Sequence, residues 1–294
     1  MQPVVSNASE ETPINSKEVL FMAKYNVTTN YGTKTGTNAA DIFNVYGYEN
    51  SVYGKGGKDI INVYGKENTV YGDSGADRIT VFKGGNSWSS HTIYGGSGND
   101  IFVVKKNKSI YANLYGGAGN DKFTVNGGSS VSVYGDSRPS DKKKVKGNDT
   151  ITFSNVSFAY AEGGAGNDSI TVNGGTKANG YLYGGAGNDT VEMHGGTGSD
   201  ELIYTVSDGK DRVTMDGGSG GFTSDDKGTI NFKDGDNFTV VNEYGKVIYQ
   251  QGDGGTVINV ENMENMQLVN SETGDVIDLT DKLDDGRKKF LGIF

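Results

Sequence analysis

Hydrophobic residues along this chain recur two positions apart in short runs, separated by glycines and polar residues. Phe102 and Val104, Phe123 and Val125, Ile151 and Phe153, and Ile170 and Val172 are the clearest pairs. A period of two places such residues on one face of an extended strand. A second set, Val52, Val70, Ile93, Leu114, Val133 and Leu182, stands one residue before Tyr53, Tyr71, Tyr94, Tyr115, Tyr134 and Tyr183, which lead into glycine-rich loops. The alternation predicts the first members inside and the tyrosines outside, stacked as a ladder that stiffens a sheet. The alternative for the tyrosines is a contact stripe for carbohydrate or a host surface. The pattern as a whole predicts turns alternating with short strands.

The loops are copies of one another. Gly95-Gly96-Ser97-Gly98-Asn99-Asp100, Gly116-Gly117-Ala118-Gly119-Asn120-Asp121, Gly163-Gly164-Ala165-Gly166-Asn167-Asp168 and Gly184-Gly185-Ala186-Gly187-Asn188-Asp189 match closely, as does Gly195-Gly196-Thr197-Gly198-Ser199-Asp200. Weaker copies hold Gly54, Gly57 and Asp59, then Gly72, Gly75 and Asp77. A degenerate copy from Gly36 keeps Asp41, and one from Gly135 is interrupted by Arg138 to Lys146 before ending in Gly147-Asn148-Asp149. Asp211, in Asp208-Gly209-Lys210-Asp211, resumes the series 22 residues after Asp189.

These copies resemble the RTX (repeats-in-toxin) family, whose nonapeptide builds a Ca²⁺-binding β-helix. The resemblance covers residues 36 to 216. It implies an all-β chain, a parallel β-roll (a calcium-binding β-solenoid) with a C-terminal β-rich capping segment. The first six residues of each unit would form a calcium-binding turn and the last three a strand. The residue chemistry agrees. Glycines at the first, second and fourth positions permit backbone angles that a Cβ forbids, asparagine at the fifth tolerates left-handed geometry, and the sixth-position aspartate is a hard oxygen donor suited to Ca²⁺.

Loop starts fall at 36, 54, 72, 95, 116, 135, 163 and 184, the first two steps being 18 residues, or one coil of two nonapeptides. Connections without the motif, such as Gly47-Tyr48-Glu49-Asn50 and Gly65-Lys66-Glu67-Asn68, lie between them, so one edge of the roll carries nearly all the calcium loops. The 11-residue step from Gly184 to Gly195 puts Asp200 on the opposite edge. Eight loops sharing one ion per neighbouring pair allow up to about seven Ca²⁺ on the main edge. Strands stack about 4.8 Å apart, so the sixth-position aspartates would form a ladder of like charges. At an effective dielectric near 20, each neighbouring pair repels by roughly 3 kcal/mol, and calcium between them turns repulsion into coordination.

Composition narrows the class. The 294 residues include 47 glycines, three prolines and no cysteine, so neither a disulfide framework nor a thiolate metal site is available. A net charge of −10 disfavours nucleic acid and anionic membranes as partners. No segment has the length of a membrane span, and the first 20 residues lack the basic start and apolar run of an N-terminal secretory signal.

Residues 1 to 35 are expected to be a linker and a leading strand around Tyr25-Asn26-Val27, and residues 217 to 294 a β-rich flank, with Asp281 to Phe294 either part of a secretion signal or a boundary. Family resemblance further implies a secreted or cell-surface, monomeric, non-enzymatic module, exported by type I secretion from a Gram-negative bacterium as the folding domain of a protein such as an adhesin. The alternative is the RTX module of a secreted protease, lipase or alginate epimerase. Gly72-Asp73-Ser74-Gly75 and Gly217-Gly218-Ser219-Gly220-Gly221 copy serine-nucleophile strings. The first is in register with the repeat, the second lacks a preceding apolar strand, and both histidines, His91 and His194, read as ordinary loop residues. Lys142, Lys143, Lys144 and Lys146 read as a solvated insertion.

Overall fold

The fold was described from a computed structural model covering residues 22–83, 90–107, 109–136, 145–156, 158–174, 179–195, 201–206, 209–217, 227–232, 238–243, 246–251, 256–261 and 265–278. Strands form two sheets, of thirteen and twelve members, with no helix among the described residues. Successive strands alternate between the sheets. Lys24–Val27, Ile42–Val45, Ile60–Val63 and Arg78–Val81 begin the first, and Thr33–Thr35, Ser51–Tyr53 and Thr69–Ser74 begin the second. Each pairs in parallel with the strand one coil away, as Phe43 does with Ile61 and Ile61 with Ile79. The chain therefore winds as a β-solenoid. Among the described residues there is no helix long and apolar enough to cross a membrane.

The winding extends beyond 36 and 216. Lys24–Val27 pairs in parallel with Ile42–Val45, so a rung precedes Gly36. Past Asp216, Val257–Glu261 stacks in parallel on Arg212–Asp216, and Asn265–Asn270 on Lys227–Phe232. Only then does the direction reverse. The hairpin Phe238–Glu243 and Lys246–Gln251 lies antiparallel on Val257–Glu261, and Val276–Asp278 lies antiparallel on Asn265–Asn270. These strands cover the exposed rungs that a parallel stack leaves at its end.

The inward faces follow the alternation. In the first sheet Phe43, Ile61, Ile79, Phe102, Phe123, Ile151, Ile170, Val191 and Val213 make one buried column. The second sheet supplies Val52, Val70, Ile93, Leu114, Val133, Ala161 and Leu182. Phe102 and Phe123 stack with ring centroids 4.4 Å apart, close to the strand repeat. The coil that carries Phe153 has only Ala159 and Ala161 facing in from the other sheet, so bulk on one side is matched by small residues on the other.

The outer tyrosines also stack. Tyr53, Tyr71, Tyr94, Tyr115 and Tyr134 follow one another with centroids 4.8 to 5.0 Å apart. Tyr183 does not continue this ladder, because Glu162 occupies the rung between it and Tyr134. Instead Tyr160 leans toward Tyr134 at a 45° angle. A second stack, Tyr46, Tyr64 and Phe82, runs at the other edge, a feature the repeat pattern did not announce. Replacing Phe123 by Ala removes a ring held on both faces of its column. The calcium-saturated fold should lose about 3–5 kcal/mol, measured by denaturant unfolding; a loss under about 1 kcal/mol would show the column to be loosely packed.

Candidate metal centre

The glycine-aspartate loops other than the one from Gly195 lie on the edge where the chain passes from the second sheet to the first. Strands His91–Ser97 and Tyr111–Ala118 run on into the first three motif positions, so the turn itself is shorter than the six residues expected. The sharp reversal falls at the fourth position, where Gly57, Gly75, Gly98, Gly119, Gly166 and Gly187 have φ between 104° and 146°. At the second position Gly96, Gly117, Gly164 and Gly185 also have positive φ, and Lys55 and Asp73 adopt it as well as glycine. The first glycine is required for another reason, since its φ is ordinary. A Cβ on Gly95 would run into Asp100 Oδ2 and lie 2.7 Å from the Gly116 carbonyl oxygen of the next coil. Gly54, Gly72, Gly116, Gly135 and Gly163 face the same pair of oxygens in their own coils. Each of these glycines, and Gly36 between Asp41 and the Gly54 carbonyl, thus leaves a small cradle walled by a carboxylate and a carbonyl, whereas the atoms nearest a Cβ on Gly184 all belong to Asp189.

The aspartates form a continuous ladder. The Asp41 N–H donates to Asp59 Oδ1 at 2.7 Å, and the pattern repeats through Asp77, Asp100, Asp121, Asp149, Asp168, Asp189 and Asp211 at 2.7 to 2.9 Å. These residues are at most 3% exposed. One oxygen of each is therefore taken by the backbone. The other, Oδ2, is buried without a hydrogen-bond partner in Asp59, Asp77, Asp100, Asp121, Asp149, Asp168 and Asp189. A buried acceptor left bare costs about 1–3 kcal/mol, more when charged.

Burial is the first cause of a raised carboxyl pKa in all seven: to about 6 for Asp100 and Asp189, about 7 for Asp59, Asp77 and Asp168, and about 8 for Asp121 and Asp149. The backbone hydrogen bond opposes the rise, and neighbouring aspartates add to it in several rungs. This corrects the expected origin of the instability. Loss of water weighs more in each carboxyl than repulsion along the ladder.

The donors suit a hard divalent cation. A bare buried carboxylate oxygen facing a main-chain carbonyl across a gap too small for a methyl group is an oxygen-only environment, as Ca²⁺ prefers. No three acidic or imidazole side chains converge among the described residues, so each cradle has one carboxylate per coil and relies on main-chain oxygens. Third-position carbonyls already accept hydrogen bonds from fourth-position amides, as Ser97 does from Gly75 and Ala118 from Gly98, both at 2.8 Å. They have a second lone pair left for an ion.

The sequence profile of the RTX calcium-binding nonapeptide repeat, in four copies, matches residues 53–81, 92–104, 113–131, 160–176 and 179–202. This chain carries RTX repeats. No curated protein matches it. The RTX segments hold six of the seven aspartates with a bare Oδ2, all but Asp149, and binding of Ca²⁺ belongs to this repeat.

The structure gathers the main-edge candidates into a single row. The interrupted loop closes up, for Gly135 meets Asp149 as Gly116 meets Asp121, and Gly147 takes the fourth position against the Gly119 carbonyl. Asp41 and Asp211 are the end rungs. Gly195 follows the first-sheet strand Thr190–His194, on the opposite edge, while Thr197, Gly198 and Asp200 lie outside the described residues. Fifth-position asparagines depart from expectation. Asn99, Asn120, Asn148, Asn167 and Asn188 have negative φ and build an outer ladder, the Asn120 N–H donating to Asn99 Oδ1 at 2.9 Å and so on to Lys210.

His91 also departs from expectation. It is fully buried and opens a strand, and burial holds its imidazole pKa below the ordinary value. It ends a second polar ladder at the motif-free edge, where the Asn50 N–H donates to Asn68 Oδ1 (2.8 Å) and the Asn68 N–H to His91 Nδ1 (3.1 Å). The side-chain amides donate to the carbonyls of Thr29 and Gly47. The Gly-x-Glu-Asn spacing at 47–50 and 65–68 was the available signal for this ladder.

A carboxyl that holds its proton more tightly wound than unwound favours the metal-free winding at low pH. That support fades as pH rises from about 4, the unfolded value, through the folded values of 6 to 8. Calcium must displace these protons. Titration near pH 7 in buffers of different ionisation enthalpy should show proton release on calcium binding, and a heat independent of buffer would contradict the raised values. Gly95→Ala should weaken one site without disturbing a left-handed turn, seen as one fewer calcium by native mass spectrometry.

Proposed function

We propose that this chain is a module that winds up only when calcium fills its main edge, and that it serves as the folding and export domain of a secreted or surface protein such as an adhesin. One observation carries the reading: seven aspartates in register, each with a dry carboxylate oxygen that no protein group satisfies. Where calcium is scarce, that row opposes winding and the chain stays open enough to pass through a secretion channel. Outside the cell, calcium at roughly millimolar levels matches the affinity range of extracellular calcium modules, about 10⁻⁴–10⁻³ M, and winding proceeds with binding. RTX repeats are typical of secreted proteins, and the absence of cysteine fits a fold stapled by metal.

The module has no enzymatic role in this reading; Ser74 belongs to the second-sheet strand that leads into a calcium loop. The stacked tyrosines favour stiffening over ligand capture, because rings turned face to face at 4.8 to 5.0 Å leave only edges and hydroxyls for an outside partner. The decisive experiment is a far-ultraviolet circular dichroism titration with calcium, magnesium and EDTA. Calcium should convert a largely unordered chain to β-structure, and magnesium should do so poorly because it demands a tighter, octahedral shell. Equal β-content in EDTA and in calcium would overturn the proposal.

A further inference from the structure

The two end rungs of the aspartate row differ from the seven between them. Asp41 Oδ2 accepts from the Thr37 N–H at 2.6 Å and from the Thr37 hydroxyl at 3.0 Å, while Asp41 Oδ1 accepts from the Ala23 N–H. At the other end, the Tyr204 hydroxyl donates to Asp211 Oδ2 at 2.6 Å. Tyr204 is fully buried and sits in register with Leu182, so a core position has been given a polar tip that reaches the ladder. Two residues on, Val206 takes the place that Gly184 holds one coil earlier, and its buried side chain fills the position where the other coils leave a cradle. The Asp211 N–H in turn donates to Thr256 Oγ1, a neutral group standing where the next aspartate would be.

We infer that Thr37 at one end, and Tyr204 with Val206 at the other, are terminators: protein donors take the place of a cation at Asp41 and Asp211. The row is thereby closed at the seven bare carboxylate oxygens of Asp59 to Asp189. This rests on the calcium reading above and adds to it a limit and the residues that set it. The chemistry is a substitution of like for like. A hydroxyl or amide proton satisfies the second carboxylate oxygen as an ion would, and the buried charge at each end is met without a further metal to lose to solvent. The first coils of the opposite edge use the same device, the side-chain amides of Asn50 and Asn68 donating to main-chain carbonyls.

Native mass spectrometry of the full chain in calcium, comparing single Asp→Asn variants, tests the inference. Asparagine keeps the Oδ1 acceptor, and Asn50 and Asn68 already hold equivalent rungs, so these variants can wind. Asp77→Asn, Asp121→Asn and Asp168→Asn should each lower the bound calcium by at least one ion, whereas Asp41→Asn and Asp211→Asn should leave it unchanged. An ion held elsewhere in the chain cancels in this comparison. Loss of an ion from Asp211→Asn or Asp41→Asn would overturn the inference and leave the calcium reading standing; a chain that binds no calcium would overturn both. As a second readout, Tyr204→Phe should lower the thermal midpoint in saturating calcium, and Asp211→Asn in the same chain should recover much of the loss. An unchanged midpoint in Tyr204→Phe would show that the phenol does not hold the end carboxylate.

Discussion

A carboxylate has two oxygens, and winding this chain satisfies only one of them. The backbone amide of one coil takes Oδ1 of the next, which fixes the aspartate in place and draws it out of water. The other oxygen is then left dry and without a partner in seven successive rungs. Everything distinctive about the edge follows from that geometry. The first glycine must lack a Cβ so that the space beside Oδ2 stays open, the next coil's carbonyl supplies a second oxygen, and the carboxyls hold protons unless a cation replaces them. A hydrogen bond that organises the row is thus also what makes the row depend on metal.

The two edges of the solenoid meet the same demand with different chemistry. Where two sheets are joined by tight turns, an inward polar side chain must hold the backbone of adjacent coils together. On one edge that side chain is charged and needs an ion. On the other it is Asn50 or Asn68, whose amide carries its own donor, and the ladder ends on the neutral imidazole of His91. Beyond His91 the same column becomes Ala112 and Val131, and the polar ladder is no longer used. The calcium-dependent edge spans most of the molecule, while the neutral one serves only its first coils.

Between the edges the core is thin and nearly one-dimensional, each coil touching its neighbours and little else. Stacked Phe102 and Phe123 inside and stacked tyrosines outside both exploit the strand repeat, which brings equivalent rings to a favourable distance. Loop length is free to vary in such an arrangement. The aspartate rungs are separated by 18, 23, 21, 28 and 19 residues at different coils, yet their hydrogen bonds stay at 2.7 to 2.8 Å. Insertions are accommodated outside the ladder, as the two halves around Gly135 and Asp149 demonstrate.

The period-two alternation, the spaced Gly-Gly-x-Gly-Asn-Asp copies and the lack of cysteine were enough to specify strands, coils, the inward faces and the aspartate row, because each depends on residues close together in the chain. Tertiary structure alone decided what depends on residues brought together from different coils. That Glu162 interrupts the tyrosine ladder, that fifth-position asparagines pair sideways rather than turn left-handed, and that His91 is buried all follow from register between rungs. The ends of the row were hidden because they depart from the repeat. Thr37 takes the second position of the degenerate loop, four residues before Asp41, Tyr204 stands outside the motif seven residues before Asp211, and Thr256 is 45 residues from Asp211. Only the folded turn brings each hydroxyl against its carboxylate, and only burial makes that contact matter.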